Sequence, residues 1–246
     1  MSNPIRLFIG TSPNGEDAVA EMAYEYSIRK NASREVEITW MRQTNDPSSF
    51  WHGFAAKYWG TPFSGFRWGI PEYCNYEGRA IYTDADMLNF CDMAELFDAP
   101  MEDSQLVLAR KSKRFGREFC VMLMNCAGFK GRAYKNYKAD PSCHARWCNF
   151  LIENKKFIGN LDPAWNSLDG DVRPFKQLHY TNMRTQPWHP TWFQGPSEPH
   201  EDPQLEKLFW DTVQEAKDAG YKVEDYDPTK DKNYSFVDLD VKRGYY

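Results

Sequence analysis

The first forty residues constrain the fold more than any other stretch. "IRLFIGTS" (5–12) is a continuous apolar run ending in small polar residues, the pattern of a buried strand leading into a loop. "PNGEDAVAEMAYEYSIRKN" follows, with Val19, Met22, Ala23 and Tyr26 at helical spacing. Glu16 and Asp17 open this helix and Arg29 and Lys30 close it, which complements the macrodipole. "EVEITWMR" (35–42) then alternates Val36, Ile38 and Trp40, predicting a second strand. Strand–helix–strand implies a parallel pair with a right-handed crossover. The expected class is α/β, an open, mostly parallel twisted sheet with flanking helices.

Bulk properties narrow the function. The 246 residues, 41% hydrophobic, suffice for one large α/β domain or a domain plus a lobe. Mean hydropathy is −0.73, and no apolar run approaches the roughly 20 residues of a membrane span. "MSNPIRLFIG" has no signal-peptide stretch, so a soluble, cytoplasmic protein is expected. A net charge of −5 argues against a nucleic-acid partner, and the basic "RKSKRFGR" (110–117) reads as a solvated loop. The six cysteines (74, 91, 120, 126, 143, 148) show no Cys-x-x-Cys spacing and read as reduced thiols. "CHARWC" offers Cys143, His144 and Cys148 but lacks a fourth zinc ligand. Aromatics make up 16%, with nine Trp, some of them core and some suited to stacking on sugar rings.

Further along, "FRWGIPEYC" (66–74) predicts a short helix before the strand "AIYTD" (80–84). Residues 104–110, 118–126 and 175–181 predict strands, and 149–158 is helical at best. Asp202-Pro203 opens a helix with Leu205, Leu208, Phe209, Val213 and Ala216 on one face and Gly220 as stop. Ligands of open α/β sheets bind beyond the carboxyl ends of the strands. Gly10-Thr11, Asp84-Ala85-Asp86 and His179 each sit at such an end. Two aspartates one residue apart repel, so they need a positive partner, or one takes a proton. They also suit a hard divalent cation that keeps phosphate oxygens in its other positions.

"FSGFRWGIPEYCNYEGRAIYTDADMLNFCDMAELFD" (63–98) resembles the donor-site segment of glycosyltransferase family 8 and its bacterial and phage relatives, with an Arg-bearing helix followed by Asp-x-Asp. In the same order, "FIGTSPNGEDAVAEMAYEYSI" resembles that family's first strand and helix, and "VMLMNC" its acceptor-side strand. "LDPAWNSLDG" and "QLHYTNMRTQPW" resemble its Pro-x-Trp-Asn and C-terminal His motifs. The resemblance implies a GT-A fold with a Rossmann-like nucleotide-sugar half (1–98) and a less regular acceptor half (99–190), then an extension (191–246) with one helix.

It implies a metal-dependent, retaining transferase moving a hexose from a nucleoside-diphosphate sugar, UDP-glucose or UDP-galactose, to a carbohydrate or other hydroxyl acceptor. Asp84, Asp86 and His179 would hold Mn²⁺ or Mg²⁺. Ile9, Gly10, Thr11, Thr83 and Ala85 would line the donor site, with Arg67 on phosphate or sugar. Asn182, Arg184 and Trp188 would close over the diphosphate, and Asn125, Trp165 and Asn166 would face the acceptor. Because lysine lacks the planar fork, Arg67→Lys should lower turnover, and as a surface change it should alter stability within about 0.5 kcal/mol. Departures exist: Gln186 stands where the family has a lysine, and "GTSPNGED" replaces the residues around uracil. "EFC" (118–120) replaces the Asn-Ala-Gly before the acceptor strand. Two other readings compete, a phosphotransferase of the haloacid dehalogenase type using Asp84 as nucleophile and a non-catalytic carbohydrate-binding module.

Overall fold

A computed structural model describes residues 3–193 and 195–239; the outermost residues of the expected extension, 240–246, lie outside it. The opening is as the periodicities predict: β1 (Ile5–Gly10), α1 (Ala18–Lys30) and β2 (Val36–Met41), with β1 and β2 parallel. After a long aromatic loop come α2 (Ile70–Tyr73), β3 (Arg79–Asp84), β4 (Met87–Asn89) and α3 (Met93–Phe97). The second half carries β5 (Val107–Ser112), β6 (Gly116–Asn125), α4 (Cys143–Glu153) and β7 (Ile158–Asn160). Two short strands, β8 (Ser167–Leu168) and β9 (Gln177–His179), precede α5 (Pro203–Asp218).

The main sheet has six strands in the order β2-β1-β3-β6-β5-β7. All share one direction except β6, which is antiparallel to both β3 and β5. The reason is the connection between β5 and β6: residues 113–115 are too few for a crossover, which takes a dozen or more, so the chain can only fold back as a hairpin. Gly116, at φ +74°, supplies the left-handed residue of that turn. A second sheet, β4-β9-β8, stands beside the first.

Alternate residues of the central strands feed two cores. Leu7, Ile9, Ile81, Val121 and Leu123 face Tyr24 and Ile28 of α1 and Met93 and Leu96 of α3. Phe8, Ala80, Tyr82, Met122 and Met124 face the aromatic loop (Trp51, Phe54, Trp59, Phe63) and Trp147 and Leu151 of α4. Much of the aromatic content is therefore structural packing. α1 is buried on a further side: Ala20, Met22 and Ala23 meet Leu205, Phe209, Val213 and Ala216 of α5, with Leu88 and Leu178 of the small sheet. That explains α5, whose N-cap Asp202 accepts from the Gln204 amide at 2.9 Å.

Several elements differ from expectation. The helix expected at 149–158 starts six residues earlier, and Ile158 belongs to β7. Residues 175–181 contribute only three to a strand, and it lies in the small sheet. Among the described residues no helix is long and apolar enough to cross a membrane, and all six cysteines are free.

Candidate active site

The carboxyl edge of β1 and β3 is where the candidate residues gather. Gly10 pairs with Asp84 across the parallel ladder, and the Ala85 amide donates to the Gly10 carbonyl at 3.0 Å. The Tyr180 amide donates to the Asp86 carbonyl at 2.9 Å, tying the end of β9 to the same turn. β9 thus delivers His179 beside the two aspartates.

The positive partner that paired aspartates require is Arg67. It sits in the 3-10 turn Phe66–Gly69, is 3% exposed, and its Nη2 donates to Asp84 Oδ1 at 3.2 Å. Its Nε donates to the Ser64 carbonyl at 2.8 Å, Nη1 donates to the Phe119 carbonyl, and the guanidinium lies 4.1 Å over the Tyr82 ring. Arg67 is therefore a buried strut under Asp84 with its donors engaged, and the expectation of a surface residue that lysine could replace cheaply is overturned. Burial pushes the Asp84 carboxyl up, Arg67 pulls it down, and the Asp86 charge raises it again, with a net rise. Tyr82 also donates its hydroxyl to Asp84 Oδ1, so both neighbours engage one oxygen and leave Oδ2 for a ligand.

The turn carrying Arg67 depends on Gly65, where an added Cβ would lie 2.0 Å from the buried Trp59 ring. Gly65→Ala should destabilise the protein by about 1–3 kcal/mol through overpacking. Urea unfolding checks this, and an unchanged midpoint would show that the loop shifts freely.

Asp86 has a different environment. Gln186 Nε2 donates to its Oδ2 at 3.0 Å, from the position where the resemblance leads one to expect a lysine. Its Oδ1 lies 3.1 Å from His179 Nε2, an ion pair when the imidazole is protonated, and has no other partner. His179 Nδ1 is 2.9 Å from Asn166 Oδ1, which fixes the ring. Burial disfavours the His179 imidazolium, but Asp86 and then Asp84 outweigh it and hold the group up at about 9. A proton therefore stands where carboxylates and an imidazole converge. A divalent cation fits the same donor set: Asp84, Cys120 and His179 bring one ligand atom each within 4.8 Å of one another, and Asp86 Oδ1 lies 3.1 Å from His179 Nε2.

The remaining candidates divide. Asn166 positions His179, and Trp165 is buried in the α1-side core with Lys176 over its ring at 5.1 Å. Asn125 is at the opposite edge of the sheet, paired with Arg79, its amide donating to the Gln105 carbonyl at 3.3 Å. The reversal of β6 causes this, because it carries the end of that strand away from the site and the start toward it. Cys120 and the Phe119 carbonyl arrive that way, and neither was legible as a site residue. The register places Thr83 opposite Val121, so Cys120 comes level with Asp84.

Ile9, Gly10, Thr11 and Thr83 are buried; Thr11 donates to Glu21 Oε1 at 2.6 Å. Burial lifts Glu21 to about 7, against the opposing pull of the Arg42 guanidinium. Trp188 donates to Asp17 Oδ1 at 2.8 Å and stacks on Phe209. Asn182 Oδ1 accepts from the Arg184 amide at 3.2 Å, and the half-exposed Arg184 side chain lies 3.9 Å from Glu198. Of the "CHARWC" residues, Cys148 Sγ lies 3.7 Å from His144 Nε2, whose Nδ1 accepts from Trp68 at 3.1 Å, while Cys143 faces the core.

Nor is the extension remote from this edge. Asn14, in the loop after β1, donates to the Val237 carbonyl and accepts from the Val237 amide, both at 3.0 Å. Asn45, after β2, donates to the Phe236 carbonyl at 3.2 Å.

No protein-family profile matches the chain. Among curated proteins it is similar to Protein CDI of Arabidopsis thaliana, 26% identical over 216 residues, covering 77% of this chain and 81% of that protein. Among solved structures it resembles the galactosyltransferase LgtC in complex with donor and acceptor sugar analogs, with a TM-score of 0.59 at 12% identity over 86% of this chain and 96% of that one. GlyE of Streptococcus pneumoniae, a glycosyltransferase, gives 0.58 at 15% identity over 91% of this chain and 62% of its own. The bifunctional glycosyltransferase WbbM gives 0.57 at 13% identity over 89% of this chain, which spans about half of WbbM (52%). The fold is that of the GT-A glycosyltransferases.

Proposed function

We propose that this chain is a metal-dependent, retaining glycosyltransferase that takes a hexose from a nucleoside-diphosphate sugar, UDP-glucose or UDP-galactose, and delivers it to a hydroxyl acceptor. The observation that carries the reading is the convergence of Asp84, Cys120 and His179 ligand atoms within 4.8 Å, with Asp86 Oδ1 3.1 Å from His179, at the strand edge where this fold receives nucleotides. Asp84, Asp86 and His179 would hold Mn²⁺ or Mg²⁺. Bound there, the ion would neutralise the charge of the departing diphosphate as a Lewis acid.

The protein's own groups have separable tasks. Arg67 and Tyr82 fix one oxygen of Asp84, Asn166 and Asp86 fix the imidazole of His179, and Gln186 holds the second oxygen of Asp86. Such preorganisation means that little must move when charge develops. Arg184 is the basic side chain of the 179–190 loop and would reach the outer phosphate after leaving Glu198. The transition state would be oxocarbenium-like, with attack from the face the diphosphate leaves. No residue is assigned as a covalent nucleophile.

A binding module gives no role to three ligand-bearing side chains meeting at this edge. The phosphotransferase reading drew on the Asp-x-Asp strand end alone, and the fold now belongs to glycosyltransferases. Both are tested with the transferase by incubating a panel of nucleotide sugars with the protein and Mn²⁺, with and without chelator. Slow release of nucleoside diphosphate from one donor, abolished by chelator, is the expected result. No release from any donor, with phosphate transfer from a phosphomonoester instead, would favour the phosphotransferase.

A further inference from the structure

We infer that Cys120 is a protein ligand of the cation, and that this makes the site prefer borderline divalent metals such as Co²⁺ or Zn²⁺ over Mg²⁺. The inference rests on the reading of this edge as a metal site. Its geometric basis is independent of the resemblance, which pointed to Asp84, Asp86 and His179.

β6 runs antiparallel to β3, and the ladder aligns Thr83 with Val121. One step further the register sets Cys120 directly opposite Asp84, and opposite residues of a ladder point to the same face. The Cys120 sulfur, an Asp84 carboxylate oxygen and a His179 ring nitrogen then lie within 4.8 Å of one another. Ligands of one ion, each about 2.0–2.3 Å from it, stand at most about 4.5 Å apart, so a small inward movement closes the set. Arg67 and Tyr82 hold Asp84 Oδ1 from the side, which leaves its other oxygen for this cluster. Next to His179, Asp86 Oδ1 lies 3.1 Å from Nε2 and adds a further oxygen at the same edge.

The chemistry follows from the donor set. Coordination replaces the S–H bond with an S–metal bond, and the proton leaves to solvent, because a coordinating thiol is deprotonated outright. A set of carboxylate oxygen, imidazole nitrogen and thiolate sulfur is softer than the oxygen cages that suit Mg²⁺. Thiolate also raises affinity along the series toward zinc. Cys120 is partly exposed and on a strand, with its sulfur already in the cluster.

The test is Co²⁺ titration of chelator-treated full-length protein in the presence of UDP, followed in the near ultraviolet and by calorimetry. Wild type should develop a thiolate-to-cobalt charge-transfer band that saturates with binding. Cys120→Ser should lose the band, still bind Co²⁺, and lose at least tenfold in its preference for Co²⁺ over Mg²⁺. Cys120→Ala, with a thermal melt on each variant, controls for folding. Metal binding by wild type with no band, unchanged in both variants, overturns the role of Cys120 and leaves the metal-dependent transferase intact. Failure of wild type to bind any of these metals with UDP overturns both.

Discussion

Asp86→Ala should abolish metal-dependent nucleotide binding while leaving a cooperatively folded protein. The carboxylate is partly exposed at 19%, its polar contacts are with Gln186 and His179, and it belongs to no apolar core cluster. Gln186 keeps its second bond, to the Tyr180 carbonyl at 2.8 Å. What disappears is an anionic ligand and the charge that holds His179 protonated. Removing one preorganised charge-stabilising group at a reacting centre typically costs about 10²–10³ in turnover, and at least the lower figure is expected here. Calorimetry with UDP in Mn²⁺ and in chelator separates the two effects. Wild type should bind in Mn²⁺ far more tightly than in chelator, whereas the variant should bind weakly and equally in both. Wild-type affinity in the variant with Mn²⁺ would remove Asp86 from the site.

The parts of the fold legible in the sequence are those where periodicity and length agree. β1, α1 and β2 are readable because a buried apolar run, a 3.6-residue pattern with matching end charges and a 2-residue alternation follow one another. α5 is readable from its Asp-Pro start and apolar stripe. The direction of β6 carries no such pattern, since a strand reads the same either way. Its signal was the short basic stretch "KSKRFGR", which was read as a solvated loop but is also too short for a parallel crossover. That one reversal accounts for both the misplacement of Asn125 and the omission of Cys120. β4 and β8, with three and two residues, are too brief to show any period.

In the site the division is similar. Two aspartates around Ala85 announce a ligand because their repulsion demands an explanation, and His179 follows from its place at a strand end. The partners that organise them are distant in sequence: Arg67 is 17 residues from Asp84, and Gln186 is 100 from Asp86. Nothing local in the chain marks Arg67 as buried; its neighbours Phe66 and Trp68 could equally have been a surface helix face. Only packing of the aromatic loop against β3 and β6 encloses it.

Arg67→Met should therefore be among the most destabilising single changes in the protein. It removes the cation facing Asp84 in a site where the two side chains are 4% and 8% exposed. Breaking a buried pair from one side costs about 3–5 kcal/mol, because the remaining charge is left without compensation. The Ser64 and Phe119 carbonyls lose their donors as well. Arg67→Lys would keep the charge but cannot reproduce three donors in a planar fork, so it should be intermediate and far from neutral. Asp84 then has one escape, to take a proton, which burial already favours. Removing that charge too, in Arg67→Met/Asp84→Asn, should recover part of the loss, so the double variant is less destabilised than the two single effects summed. Urea unfolding of the four proteins gives the coupling directly. Strict additivity, or an Arg67→Met midpoint equal to wild type, would mean that the pair does not hold this edge of the sheet and that Asp84 is positioned by its strand alone.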